Sequence, residues 1–108
     1  MKNLHETDAI QAAYWAWGID VHDLQNRSDE ELVLMRQMVC YRLADFISNK
    51  RISEIIDRSE ATVETDIYNH EQMVEDKVDR YIENYERYLE CEREFSPQNR
   101  RSRARRSR

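Results

Sequence analysis

Apolar residues recur at helical spacing from the start of the chain. Thr7 or Asp8 can cap a helix and Gly18 can end it, so that the helix encloses residues 9–17. Within this segment the apolar positions follow the i, i+3, i+4, i+7 rule at Ile10, Ala13, Tyr14 and Trp17. The pattern predicts a first helix with one buried stripe, and we expect at least one of its two tryptophans in the core.

The next strong helix signal is the segment Ser28-Asp29-Glu30-Glu31, which has the pattern of a capping box with Ser28 as the N-cap. The helix that begins here is expected to run to about Ile47. Its apolar residues form two adjoining stripes, Leu32, Met35, Val39, Leu43 and Phe46, then Leu34, Met38 and Tyr41. So broad an apolar surface is typical of a central helix with neighbours on more than one side. Before it, residues 20–26 fit at most a short helical turn.

Two further helices follow a polar connection at residues 48–51. The first is short, buries Ile52, Ile55 and Ile56, and ends near Asp57. Ser59 can cap the second. The apolar positions of the second helix are Val63, Ile67, His70 or Gln72, and Val74, and the pattern continues through Val78, Tyr81, Ile82, Tyr85, Tyr88 and Leu89. This pattern predicts one long C-terminal helix to about Glu94, with a possible bend at Glu75-Asp76, where a new helix could also be capped.

Composition decides the fold class. The 108 residues include one Gly and one Pro, which leaves too few turn formers for a small sheet protein. We therefore predict an all-α fold, a small bundle in one domain over residues 1–95. Residues 96–108 are rich in Arg and Ser and offer nothing apolar to bury, so we expect a disordered tail.

The formal net charge of −5 combines two opposite parts. Residues 1–95 carry 22 acidic and eleven basic residues, a net charge of −11. The tail carries six positive charges and no acid, at Arg100, Arg101, Arg103, Arg105, Arg106 and Arg108. The two parts favour partner surfaces of opposite sign.

The short helix at residues 52–57 and the helix from Glu60 onward, joined by a tight polar turn behind a long helix, have the spacing of a helix-turn-helix. Any three-helix bundle also contains such a pair, so the spacing by itself leaves both interpretations open.

Four segments resemble the C-terminal origin-binding domain of the bacterial replication initiator DnaA, a helical domain of the Trp-repressor type. Gly18-Ile19-Asp20-Val21-His22-Asp23-Leu24 is similar to the aromatic-Gly-Ile-x-x-x-Asp-Leu entry of that family, and Arg36-Gln37 with Tyr41 is similar to its Ala-Arg-Gln-x-x-x-Tyr-Leu helix. Ile52 to Ile56 resembles its Leu-x-Glu-Ile-Gly helix, and Arg58 to Val63 falls where the family has Arg-Asp-His-Thr-Thr-Val. A shorter stretch, Ser48 to Ile52 with Ser59 to Thr65, resembles the LuxR-type helix-turn-helix.

These resemblances imply a DNA-binding protein, a regulator of replication or transcription, with the helix from Glu60 onward facing DNA. Arg58, Thr62, Thr65 and Tyr68 would approach the groove. Lys50 and Arg51 would contact phosphates, and the tail arginines would add non-specific attraction. Of the base-reading Asp-His-Thr-Thr run of the initiator family, only Thr62 stands in its place.

An alternative follows from the outward face that the apolar pattern implies, Glu60, Ala61, Glu64, Thr65, Tyr68 and Glu71. Three carboxylates on that face would repel phosphates. Glu60, Glu64 and Glu71 would instead suit docking on a basic protein partner. In the LuxR comparison, Asp66 joins Glu64 among the acids that would face DNA.

Other classes of function have little support in the sequence. His5, His22 and His70 are scattered, Cys40 and Cys91 form no CxxC, and no acidic pair is placed for catalysis, so we expect no metal, no cofactor and no enzyme activity. No apolar run has the length of a membrane span, and we expect a cytoplasmic protein. Tyr81, Tyr85 and Tyr88 form a stripe that suits either internal packing or a homodimer surface.

Overall fold

The computed structural model describes residues 4–95, and all regular structure in that range is helical. The six helices are α1 (Leu4–Trp17), α2 (Val21–Asn26), α3 (Glu30–Leu43), α4 (Asn49–Ile56), α5 (Glu60–Glu75) and α6 (Asp79–Phe95). The all-α prediction is confirmed. No helix within residues 4–95 is both long and apolar enough to cross a membrane. The Arg/Ser tail lies outside the described residues.

Side-chain caps determine where most of these helices begin. Ser59 Oγ accepts the amide of Thr62 at 3.1 Å, as predicted for the start of α5. Asp20 caps α2, and a reciprocal bond from the Asp20 amide to the Asp23 carboxylate completes a capping box. The prediction of Ser28 as a cap is wrong, because Asp29 accepts the Leu32 amide and so starts α3 one residue later. A carboxylate at this position also suits the positive end of the helix dipole.

Two predicted helix ends differ from the structure. The central helix ends at Leu43 and not at Ile47, since residues 44–46 form a turn. The bend predicted at Glu75-Asp76 in the long C-terminal helix is a complete break, since residues 76–78 separate α5 from α6. Lys77 takes a left-handed backbone (φ 55°), and the amide of Val78 returns to the carbonyl of Met73 at 3.2 Å. That bond closes the end of α5 by a Schellman-type motif and turns the chain away before α6 begins.

The core is organised around α3, which packs against α1, α2 and α5. Fully buried Leu32, Val39 and Leu43 of α3 join the isoleucines of α4 in one cluster. Four alanines on α1 are buried, at Ala9, Ala12, Ala13 and Ala16. Such small side chains let α6 approach closely.

The tyrosine stripe of α6 packs within the chain. Tyr88 is completely buried, donates its hydroxyl to the Ala9 carbonyl at 2.7 Å and stacks on Trp17 with ring centroids 5.0 Å apart. Tyr81 is only 3% exposed. Tyr85 is half-buried, and its ring meets those of Tyr41 and His70 edge-on. All three rings therefore pack mainly on neighbouring helices of the same chain. The homodimer interpretation of Tyr81, Tyr85 and Tyr88 is corrected to internal packing.

An aromatic cluster around His70 joins α5 to α3 and α6. Its Nδ1 lies 2.7 Å from the Tyr81 hydroxyl, its ring stacks on Tyr41 at 4.2 Å, and Tyr85 meets it edge-on at 4.5 Å. His70 is 1% exposed. Burial lowers the pKa of His70 to about 4, so the imidazole is neutral near neutral pH.

We predict that this histidine makes stability depend on pH. The folded state binds the proton of His70 less tightly than the unfolded chain does, because its pKa is below the ordinary value of 6.5. The free energy of unfolding should therefore fall as the pH drops from 6.5 toward 4, by up to about 1.4 kcal/mol per pH unit from this group. Urea unfolding across this window measures it. His70→Gln should give a shallower profile, and parallel profiles for the two proteins would contradict the assignment.

Candidate functional site

The helix pair α4 and α5 has the form that the sequence predicts. Asp57 takes a left-handed backbone (φ 52°) after α4, so that the Arg58 amide returns to the Ser53 carbonyl at 3.1 Å. Ser59 then caps α5, which leaves a turn of three residues between the helices. Ile52, Ile55 and Ile56 hold α4 against the core. Residues 49–75 thus form two helices joined by a short turn, with α5 packed on α3 and α4 packed on α2 and α5, as in a helix-turn-helix.

A buried ion pair fixes α5 on α3. Arg36 Nε lies 2.7 Å from Asp66 Oδ2, and Arg36 Nη2 lies 3.2 Å from the other carboxylate oxygen. Both side chains are less than a tenth exposed. The Cys40 thiol is 3.7 Å from the same carboxylate. Burial and then the charge of Asp66 raise the pKa of Cys40, which keeps the thiol protonated and unreactive.

The expectation that Asp66 faces outward is wrong. The residue lies in the buried row of α5 with Val63 and His70, at the i, i+3, i+7 spacing of a core-facing stripe. This spacing could have indicated that Asp66 is buried, but carboxylates are rarely buried, so the residue was assigned to the exposed face. Val74, predicted to be buried, is 41% exposed, since it stands in the last turn of α5 just before the chain turns away.

The opposite face of α5 is exposed and acidic. All six residues expected to point outward, Glu60, Ala61, Glu64, Thr65, Tyr68 and Glu71, are exposed, and Glu75 joins them. At 100° per residue, the four glutamates fall within about 60° of one another and form a stripe about 22 Å long. We call Glu60, Glu64, Glu71 and Glu75 the α5 acidic stripe. Tyr68 lies beside it with 61% of its surface exposed.

The predicted cationic contacts do not gather on this face. Residues 60–75 contain neither Lys nor Arg. The Arg58 guanidinium is bonded to α2, because its Nη2 donates to the Arg27 carbonyl at 2.8 Å and more weakly to the Leu24 carbonyl at 3.4 Å. These are carbonyls at the end of α2, where a cation also suits the helix dipole.

The remaining predicted DNA contacts are dispersed. Lys50 and Arg51 are exposed in the first turn of α4, where Arg51 lies 3.7 Å from Glu54. Thr62 is half-buried, with its hydroxyl 3.0 Å from Ser59. Thr65 and Tyr68 are exposed on α5, and of the two only Tyr68 lies next to the acidic stripe. The six tail arginines lie outside the described residues.

His22 lies close to two carboxylates that could bind a metal ion together with it, which the sequence alone does not indicate. His22, Asp20 and Asp23 place one potential ligand atom each within 4.8 Å of one another; Asp20 and His22 are exposed and Asp23 is half-buried. Both carboxylates already accept backbone amides in the α2 capping box. The proximity is therefore explained by the cap.

Comparisons with known proteins return no similarity. The chain matches no protein-family model, no curated protein and no solved structure.

We predict that the buried pair is the strongest single polar determinant of the fold. Asp66→Ala should lower the free energy of unfolding by about 3 to 5 kcal/mol, because it leaves the Arg36 guanidinium buried without its counter-charge. Urea unfolding measures the change. Replacing both partners, Arg36→Met with Asp66→Leu, should recover most of it.

The exposed pair of Arg42 and Asp45 supplies a matched control, with an N···O distance of 3.1 Å and the carboxylate side chain 56% exposed. Asp45→Ala should cost no more than about 1 kcal/mol. Equal losses at Asp66 and Asp45 would show that the buried pair has no special role.

Proposed function

We propose that this chain is a protein-interaction module whose α5 acidic stripe docks on a basic surface of another protein. The observation that carries the proposal is the composition of the exposed face of α5. Its charged groups are all carboxylates, and no Lys or Arg occurs anywhere in the helix.

Electrostatics favours a cationic partner over a phosphate backbone. Two like charges 6 Å apart repel by roughly 3 kcal/mol at an effective dielectric of about 20, before screening by salt. Four glutamates along one side of α5 would oppose phosphates in this way and would attract Lys or Arg side chains. Tyr68, exposed beside the stripe, adds the kind of aromatic contact that often dominates binding energy at protein interfaces.

The competing hypothesis is DNA binding by a degenerate, initiator-like helix-turn-helix. It is favoured by the three-residue turn between α4 and α5, by the exposed Lys50 and Arg51, and by the six arginines of the tail. In that case the tail would supply most of the affinity, with a log-log salt slope near −5 for six phosphate contacts.

A designed peptide tests the proposed interaction. A helical peptide with four lysines on one face, spaced as the four glutamates are, should bind more tightly than a peptide of the same composition with its lysines distributed around the helix. Glu64→Lys should lower the affinity for the matched peptide by about tenfold, because the change removes one attraction and adds one repulsion. Fluorescence anisotropy measures both affinities.

Glu90→Lys is the matched control, since Glu90 is exposed on α6 and the change in net charge is the same. This variant should lower the affinity for the matched peptide by no more than about twofold. Equal loss in both variants would mean that only net charge matters, which would contradict a specific α5 surface.

The same variant separates the proposal from DNA binding. If α5 docks on a protein, Glu64→Lys should lower the affinity for the matched peptide and should not raise the affinity for duplex DNA at low salt. A marked gain in duplex affinity, together with wild-type binding tighter than that of a peptide of residues 96–108, would favour the helix-turn-helix as a DNA reader.

A further inference from the structure

A groove lies where α3, α5 and α6 meet, away from the α5 acidic stripe. One wall is the first turn of α3, with Glu30, Glu31 and Leu34. The other is formed by Met73 at the end of α5 and by the start of α6 at Val78 and Tyr81. The groove has a volume of about 590 Å³, and we refer to it as the α3–α6 groove.

Four apolar or aromatic side chains line this groove, Leu34, Met73, Val78 and Tyr81, beside the polar Glu30, Glu31, Arg80 and Asn84. Leu34 and Met73 are half-buried, and Val78 is 36% exposed. The chain as a whole has 36% charged residues and a mean hydropathy of −0.97. An apolar recess on such a surface is where an apolar side chain of a partner gains most from burial.

The wall beneath the recess is held in place. Tyr81, which lines the groove, is 3% exposed, and its hydroxyl lies 2.7 Å from His70 Nδ1. His70 is itself stacked on Tyr41. A recess built on a fixed ring does not need to order itself on binding, which lowers the entropic cost of association.

The charges around the groove are mainly negative. Glu30 and Glu31 are exposed on one wall, and the exposed acids Asp76 and Asp79 lie within two residues of Val78. The cations are Arg80, which lines the groove at the start of α6, and Lys77 next to Val78, so that the acids outnumber the cations by four to two. An occupant with lysines or arginines beside its apolar residue would complement this rim.

Two other occupants fit less well. A second copy of this chain would bring its own acidic body, with a net charge of −11 over residues 1–95. The arginine tail of the same chain has the right charge, but between Arg100 and Arg108 its only apolar residue is Ala104. Alanine is too small to fill a recess lined by Leu34, Met73 and Val78.

We propose that the α3–α6 groove binds a partner peptide in which one large apolar side chain is flanked by basic residues. The apolar side chain enters between Leu34 and Val78, and the flanking cations meet Glu30 and Glu31. This surface is distinct from the α5 acidic stripe, so its occupancy does not depend on the proposed docking through α5.

Two short synthetic peptides test the proposal, Lys-Lys-Leu-Lys-Lys and Lys-Lys-Ser-Lys-Lys, each with blocked ends. They are titrated into the full ¹⁵N-labelled chain and followed by NMR. The leucine peptide should bind about tenfold more tightly than the serine peptide and should shift the amides of Leu34, Met73 and Val78. Equal affinities, or shifts confined to α5 residues 60–71, would overturn the proposal.

Val78→Ser removes one apolar side chain from this wall, and we expect it to preserve the fold. The Val78 carbonyl accepts the first helical bond of α6, from the Ile82 amide at 3.0 Å, so position 78 is the N-cap, where Ser is preferred to Val. This variant should abolish the tenfold preference for leucine. Val21→Ser is the control, because Val21 is 37% exposed at another site and should leave the preference intact.

Loss of the preference in both valine variants would overturn the assignment of the groove. The preference should also survive in Glu64→Lys, which keeps this test independent of the α5 acidic stripe. Loss of the preference in Glu64→Lys, with Val78→Ser unaffected, would place the leucine on α5 and contradict the proposal.

Discussion

The buried ion pair between Arg36 and Asp66 is the constraint on which the rest of the structure depends. Two charges removed from water are stable together only with short, well-directed hydrogen bonds, and this pair has two, at 2.7 and 3.2 Å. A rotation of α5 by one residue would move Asp66 by about 100° and leave Arg36 buried without its partner. The pair therefore fixes which face of α5 is inside.

The orientation of α5 determines the character of the surface. With Val63, Asp66 and His70 inside, the acidic stripe is outside. Several cations are meanwhile used within the fold: Arg36 pairs with Asp66, Arg42 pairs with the buried Glu92, and Arg58 caps α2. Residues 4–95 hold 22 acidic residues against ten Lys and Arg. Internal use of the cations leaves the exposed surface dominated by carboxylates, which is the physical basis for proposing a basic partner.

Local signals in the sequence predict the parts of this structure that local physics controls. Ser59 caps α5 because a hydroxyl at that position can reach the Thr62 amide, and Ile52, Ile55 and Ile56 are buried because their spacing puts them on one face. The outward positions Glu60, Glu64 and Glu71 followed from the same periodicity. The change of direction before α6 was allowed for at Glu75-Asp76, but its completeness was not predicted, since Lys77 occupies a left-handed position that usually selects Gly or Asn.

Features that depend on tertiary contacts could not be predicted from the sequence, because the groups that form them lie far apart along the chain. Asp66 is buried only because Arg36, thirty residues earlier, supplies its counter-charge. Arg58 appears available for a phosphate until the fold brings the carbonyls at the end of α2 to its guanidinium. The α3–α6 groove is formed by three helices together, so no local sequence pattern predicts it.

The most direct measurement of this account is hydrogen exchange at the arginine side chains, observed through the ¹H–¹⁵N signals of their Nε–H groups. The account predicts that the Arg36 Nε–H exchanges slowly, because it is buried and bonded to Asp66, whereas exposed Arg87 exchanges rapidly with water. Rapid exchange at Arg36, equal to that at Arg87, would show that the pair is open to solvent. It would contradict the orientation of α5 from which the acidic surface follows.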